Sequence, residues 1–202
     1  MKRSILSANK NYTFRDFFEL AYSAEDIVKE FNYAFSDELI DLPKEAVAED
    51  SVAEFKSQII KNIPRISLNS EVARREFLIA PVLLHLLKLT DVKISSEYPI
   101  EVGKNLRGTL DYLLRSGKDL TVIEAKKADI DRGFNQLAVE LIAIEKYEED
   151  GTNVLFGAVT TGDLWKFGKL ERAEKKITKD INSYRVPADL RELFSILIGI
   201  LK

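Results

Sequence analysis

Hydrophobic positions recur at helical spacing through the first third of the chain. Between residues 13 and 35 they form apolar stripes that break near Tyr22 and Ser23, which predicts two helices. A second helical pattern covers residues 45–61, and a proline lies on either side of it. We therefore expect residues 1–66 to form a helical N-terminal cap.

Helical and extended patterns alternate in the remainder of the chain. The expected elements are a helix over 70–89 with a kink at Pro81, strands over 97–102, 107–115 and 120–126, a helix over 130–149, strands over 154–160 and 164–170, a polar helix over 171–184 and an apolar helix over 190–201. The order αβββαββ predicts an α/β domain over residues 67–202.

Two of the expected strands carry charged side chains at matching positions. The turn Ser116-Gly117-Lys118-Asp119 separates two apolar, β-branched runs, and a hairpin centred between Gly117 and Lys118 places Asp111 opposite Glu124. Paired side chains project from the same face with Cβ atoms about 5 Å apart. Lys126, two residues beyond Glu124, shares that face.

The two carboxylates repel each other unless a proton or a cation neutralises them. Oxygen ligands without cysteine favour Mg²⁺, with Mn²⁺ able to substitute, and such ions bind through one or two carboxylates plus a phosphate. Lys126 could orient an attacking water and stabilise charge on a phosphoryl oxygen. The alternative is that Asp111 and Glu124 are sheet-edge residues paired with lysines, but the apolar run before Glu124 indicates an interior strand.

Asp111 followed by Glu124-Ala125-Lys126 resembles the active-site signature of the PD-(D/E)XK, or restriction-endonuclease-like, nuclease superfamily. The resemblance covers roughly residues 70–170. It implies an αβββαβ core with a mixed central sheet flanked by helices, and an Mg²⁺-dependent endonuclease that hydrolyses phosphodiester bonds in nucleic acid, with DNA favoured. Leu110 stands where the superfamily often has proline.

The resemblance also assigns roles to three further residues. Glu71 matches the acidic residue of the preceding helix that adds a carboxylate to the metal site, although Glu76 competes for this role. Gln136 matches a glutamine of the next core helix that points at the site. The expected metal ligands are Asp111, Glu124, Glu71 and the carbonyl of Ala125, and the expected catalytic residues are Asp111, Glu124, Lys126 and Gln136.

Composition limits the cellular setting. The chain has 202 residues, 46% hydrophobic and 31% charged, and no cysteine, which is typical of a globular protein of a reducing compartment. No apolar run is long enough to span a membrane, and residues 1–11 lack a secretory pattern. We therefore expect a cytoplasmic protein that does not act on a membrane.

Charge bears on the partner. The net charge of −3 is unfavourable for DNA binding, but basic residues concentrate at 166–185. Any phosphate-binding surface is thus expected in the C-terminal half, although such a run also fits a solvated helix face. Cutting both strands of a duplex needs two active centres, so a homodimer is one option.

Two other functions remain open. A nuclease fold without activity could bind nucleic acid or a partner protein, and the acidic balance and Phe-rich cap favour this slightly. A phosphohydrolase of small nucleotides ranks last because the sequence has no Gly-rich phosphate loop. His85, the only histidine, lies in an apolar helix and is expected to be a packing residue.

Overall fold

Within residues 4–117, 119–148 and 151–202, which the computed structural model describes, a mixed sheet of eight strands carries helices on both faces. The strands are Ala34–Glu38 (β1), Lys93–Gly103 (β2), Leu106–Ser116 (β3), Asp119–Ala125 (β4), Val154–Thr160 (β5), Leu164–Glu171 (β6), Lys176–Asp180 (β7) and Tyr184–Arg185 (β8). The helices are Phe14–Glu19 (α1), Ala24–Lys29 (α2), Glu49–Asn62 (α3), Glu71–Arg74 (α4), Ala80–Leu89 (α5), Ile130–Tyr147 (α6) and Leu190–Gly199 (α7). The α/β class predicted from the sequence is confirmed.

The strands lie in the order β1-β7-β6-β5-β4-β3-β2, and β8 pairs with β6. The pairs β1/β7 and β4/β5 are parallel, and the other pairs are antiparallel. Between residues 71 and 171 the order of helices and strands is the predicted αβββαββ. A restriction-endonuclease-like core stays a prediction.

Two hydrophobic layers hold the helices against the sheet. One layer joins α3, α5 and α7 to residues such as Ile123 and Trp165, and the other joins α1, α2 and α6 to residues such as Leu113 and Val122. Because side chains alternate along a strand, Glu124 lies on the face of Val122, the face that α1 and α6 cover.

The helix expected over 70–89 is interrupted where Pro81 predicts a kink. Residues Arg75–Ile79 form a π-helical segment between α4 and α5, in which the amide of Ala80 donates to the carbonyl of Arg75, five residues earlier. Pro81 has no N–H to donate to the carbonyl of Phe77, and its ring would clash with that carbonyl in a regular helix, so the i to i−4 hydrogen bonds are interrupted here before α5 continues to Leu89. The widened turn thus has a local cause.

The structure corrects two predicted elements. The polar helix expected over 171–184 is wrong, because β7 and β8 lie there and β7 pairs with both β6 and β1. The helical pattern over 13–35 yields α1 and α2, with the predicted break, but its end leads into β1. Asn32 adopts a left-handed conformation, with φ of 63°, and turns the chain from α2 toward that strand.

Two predicted features reach beyond the described residues. Lys118 in the hairpin turn and Glu149 at the expected end of α6 lie outside them. The boundary at residue 66 stays a prediction, although β1 from the N-terminal segment belongs to the main sheet. Among the described residues, none of the helices combines the length and apolar character that crossing a bilayer requires.

Candidate active site

The β3–β4 hairpin has the register that its turn predicts. Tyr112 pairs with Ile123 and Leu113 with Val122, so continuation of the ladder by one residue sets Asp111 opposite Glu124. The side-chain oxygen Oδ2 of Asp111 accepts a 2.8 Å hydrogen bond from the backbone amide of Ala125. This bond fixes the carboxylate at the end of β4.

Lys126 lies next to Glu124. Its ammonium group donates to Oε1 of Glu124, and the two side chains are 10% and 1% exposed. The Nζ atom also lies 5.0 Å from the ring centroid of Phe18 in α1, within the range of a cation–π contact. The backbone amide of Lys126 donates to the carbonyl of Thr160 at 2.8 Å, which ties this residue to the end of β5.

Asp111 has a second, cationic partner that the sequence did not indicate. Nη1 of Arg75, the first residue of the π-helical segment, lies 3.4 Å from Oδ1 of Asp111. Nη2 of the same guanidinium is 2.6 Å from Oε1 of Glu97, and its Cζ atom is 5.4 Å from the ring centroid of Tyr112. Arg75 thus offsets part of the negative charge beside Asp111.

These side chains open into one cleft of about 700 Å³ between α1 and the start of α4. The residues that line it are Thr13, Phe14, Arg15, Phe18, Glu19, Glu71, Glu97, Gly108, Thr109, Asp111, Glu124, Lys126, Lys127, Ala128, Asp129 and Gln136. All the predicted side chains of the site are therefore in the same cavity. Of the two competing acidic residues of the preceding helix, Glu71 lines the cleft and Glu76 does not.

Ala125 is the remaining predicted ligand, through its carbonyl. The residue is fully buried at the end of β4, and its amide is the donor to Asp111. It pairs with Thr160 across the parallel β4/β5 ladder. Its role as a metal ligand stays a prediction.

Glu140 is a member of the site that sequence reasoning missed. It lies one helical turn after Gln136 in α6, is completely buried, and accepts a 2.8 Å hydrogen bond from the side-chain amide of Gln136. The signal was a glutamate in the apolar run from Leu137 to Ile144, where an unpaired charge would be costly. A carboxyl there needs polar neighbours, and Gln136 on the same helix face was the nearest candidate.

The buried carboxyl groups of Glu124 and Glu140 influence each other. Burial first, and then the charges of Glu140 and Asp111, raise the pKa of Glu124 well above its usual value. Burial raises the pKa of Glu140 to about 8, although its hydrogen bond with Gln136 opposes the shift. In the described part of the chain, Oε2 of each glutamate is buried without a hydrogen-bond partner.

Lys126 keeps its positive charge in this environment. Burial lowers its pKa, but the charge and hydrogen bond of Glu124, followed by the charges of Glu140 and Asp111, outweigh burial and raise it above the usual value. The site thus holds a fixed cation beside the carboxyl group of Glu124.

Two glycines set the distances between the elements around the cleft. A Cβ on Gly133 of α6 would lie 2.7 Å from Cγ1 of Val159 and 3.0 Å from Cγ of Lys126, so α6 can pack this closely only with glycine there. Gly108 of β3 has φ of +147°, and a Cβ on it would lie 2.7 Å from the ring of Phe14. This second contact allows α1 to lie against β3 as one wall of the cleft.

The basic stretch predicted to bind phosphate is largely engaged within the protein. Lys169, Lys176 and Lys179 form ion pairs with Glu171, Glu38 and Asp37 at 2.7, 2.8 and 3.0 Å. The guanidinium of Arg172 donates to the backbone carbonyls of Glu145 and Glu148 at the end of α6. The stretch therefore stabilises the sheet edge and a helix end rather than presenting a row of unpaired cations.

The predicted packing role of His85 is confirmed. Nε2 of His85 lies 2.8 Å from the carbonyl oxygen of Ser51, and its ring stacks on Phe55 with centroids 4.4 Å apart. Trp165 is fully buried after the β5–β6 turn, and its indole N–H donates to the carbonyl of Gly162.

No protein family, curated protein or solved structure matches this chain. The resemblance to PD-(D/E)XK nucleases therefore rests on the residues of the motif and their placement.

Proposed function

We propose that this protein is a metal-dependent nuclease that hydrolyses phosphodiester bonds by a PD-(D/E)XK mechanism. The observation that carries the proposal is the convergence of Asp111, Glu124 and Lys126 inside one cleft, where the end of β4 lies beside the middle of β3. Glu71 and Gln136, which the superfamily pattern adds to the site, line the same cleft.

The residues fit a hard divalent cation. Asp111 and Glu124 supply oxygen ligands, and Oε2 of Glu124 has no hydrogen-bond partner among the described residues. In that part of the chain no group of three or more His, Cys, Asp or Glu side chains could by itself hold a metal ion. Mg²⁺ often binds through one or two carboxylates, waters and a substrate phosphate, so Asp111 and Glu124 would hold the ion together with water and phosphate oxygens, and Glu71 lines the same cleft.

The residues of the site would have separate roles in hydrolysis. A bound Mg²⁺ would act as a Lewis acid and lower the pKa of a coordinated water. Lys126 holds a fixed positive charge where charge grows on a phosphoryl oxygen, and Phe18 and Glu124 restrict its position. Gln136, held by Glu140, supports Lys126 or a substrate phosphate.

The test is a cleavage assay on metal-free protein to which Mg²⁺ or Mn²⁺ is added, with plasmid, single-stranded oligonucleotides and free nucleotides as substrates. Cleavage of nucleic acid that depends on the metal is expected. The pair Glu71→Gln and Glu76→Gln provides a matched comparison, because both residues are exposed acids of the same helical stretch and only Glu71 lines the cleft. Activity in Asp111→Ala equal to that of the unchanged protein would contradict the proposal.

A second candidate function is a module that binds nucleic acid or protein without cleaving it. The observation in its favour is that the acidic side chains of the described residues form no group of three around a possible ion. Calorimetric titration with Mn²⁺ separates the two candidates. Heat of binding that disappears in Asp111→Asn supports the nuclease, whereas no binding at millimolar Mn²⁺ supports the module.

A further inference from the structure

The cleft continues along β3 into a second cavity. This outer cavity, of about 480 Å³, is lined by Thr13, Pro99, Ile100, Glu101, Arg107, Gly108, Thr109 and Tyr147. It shares Thr13, Gly108 and Thr109 with the cleft of the candidate active site. The two cavities therefore form one groove, the β3 groove, which runs from Lys126 past Gly108 to Tyr147.

Each half of the groove contains one aromatic ring with access to it. Phe18 lines the inner half beside Lys126, and its side chain is half-buried. Tyr147 lines the outer half and is 48% exposed. Exposed rings along a groove are the feature on which unpaired bases stack, and such stacking does not depend on the base.

The charges along the groove disfavour duplex DNA. In the inner half six carboxylates face three cations, Arg15, Lys126 and Lys127. In the outer half one carboxylate, Glu101, faces one cation, Arg107. Duplex binding depends almost entirely on phosphate contacts, whereas a single strand also gains free energy from base stacking, so a shortage of cations weakens duplex binding more. The basic stretch that could have supplied them is largely paired with carboxylates of the sheet or with backbone carbonyls at the end of α6.

We propose that the β3 groove binds a single strand of nucleic acid, with bases stacked on Phe18 and Tyr147 and with Arg15 and Arg107 near the phosphates. The strand would pass over Gly108, where the close packing of α1 against β3 forms the groove wall. This inference rests on the proposed nuclease for the cleavage that follows binding, and it names the substrate as a single strand rather than a duplex.

Binding can be measured without cleavage, by fluorescence anisotropy of labelled oligonucleotides in EDTA at low salt. The probes are oligothymidylate, oligouridylate and a hairpin duplex of similar length. We expect at least one of the two single strands to bind about tenfold more tightly than the duplex. Comparison of the affinities for oligothymidylate and oligouridylate shows whether the groove prefers DNA or RNA.

Variants locate the binding surface. Phe18→Leu retains an apolar side chain without the aromatic face, and Tyr147→Ala removes the outer ring, so each should weaken single-strand binding about five- to tenfold. Phe18→Trp keeps an aromatic face and should therefore retain the single-strand affinity of the unchanged protein. Phe77→Ala is the matched control, because Phe77 is also 48% exposed but lies outside the groove. The affinity of this variant for the single strands should equal that of the unchanged protein.

Tighter binding of the duplex, or unchanged affinity in both Phe18→Leu and Tyr147→Ala, would overturn this inference. Its failure can be told apart from failure of the nuclease proposal. Single-strand binding without cleavage in Mg²⁺ or Mn²⁺ contradicts the nuclease proposal and supports single-strand binding in the β3 groove. Metal-dependent cleavage confined to duplex DNA supports the nuclease proposal and contradicts single-strand binding in the groove.

Discussion

The side-chain amide of Gln136 donates a 2.8 Å hydrogen bond to the carboxyl group of Glu140, which has no exposed surface. Burial raises the pKa of Glu140 to about 8, from an ordinary value of 4.5. Between these two values the folded protein binds a proton that the unfolded chain has lost. The free energy of unfolding should therefore fall as the pH rises, by up to about 1.4 kcal/mol per pH unit.

Glu140→Gln should reduce this dependence, because an amide does not titrate and can still pair with Gln136, while the part that Glu124 contributes remains. Urea unfolding at several pH values between about 5 and 9 measures the slope. Glu76→Gln, at an exposed position, is expected to keep the slope of the unchanged protein. An equal slope in Glu140→Gln would show that the buried carboxyl does not carry the proton.

Asp111→Asn tests the metal-binding carboxylate with little disturbance of the fold. The amide oxygen of Asn can still accept the hydrogen bond from the Ala125 amide. In Asp111→Ala that donor is left unsatisfied, which should lower the free energy of unfolding by roughly 1–3 kcal/mol, and Asp111→Asn should lower it by less. Both variants should lose Mn²⁺ binding by calorimetry and cleavage by gel assay. Retained Mn²⁺ affinity in Asp111→Asn would exclude Asp111 as a ligand.

Lys126→Ala should separate metal binding from catalysis. Mn²⁺ should still bind, because the carboxylates remain, while the cleavage rate falls about 10²- to 10³-fold through loss of one preorganised charge. Single-turnover rates at saturating Mn²⁺ provide the measurement, and the exposed Lys88→Ala is the control. A rate loss that excess Mn²⁺ reverses would assign Lys126 to metal binding instead.

Gly133→Ala should disturb the site from the helix side. The added Cβ would lie 2.7 Å from Cγ1 of Val159 and 3.0 Å from the Lys126 stem, so α6 or Lys126 must move. We expect a loss of about 1–3 kcal/mol in the free energy of unfolding, despite the better helix propensity of alanine. Urea denaturation and the cleavage rate measure the two effects. Unchanged stability would mean that α6 packs less tightly than the structure shows.

Local sequence patterns were sufficient for the part of the fold that bears the candidate site. The β3–β4 turn sets the strand register, which is why the opposition of Asp111 and Glu124 could be predicted from residue numbers. The apolar periodicity of α6 likewise gave its start at Ile130. These features depend on residues close together in the chain.

The elements that were missed depend on residues far apart in the chain. β1 is a short edge strand with little apolar alternation, and its pairing with β7 joins residues such as Asp37 and Lys179. The charges of β7 suggested a polar helix because their carboxylate partners lie at the other end of the chain. Arg75 was missed for the same reason, since its contact with Asp111 across the fold defines its role.

The parallel pairing of β1 with β7 means that the N-terminal segment satisfies the backbone hydrogen-bonding groups on one side of β7. A chain shortened to begin at residue 67 would lack β1. The backbone N–H and C=O groups of β7 that pair with β1 would then lie unpaired at the edge of the sheet. Uncovered strands recruit other chains, so such a truncation should favour self-association and poor solubility.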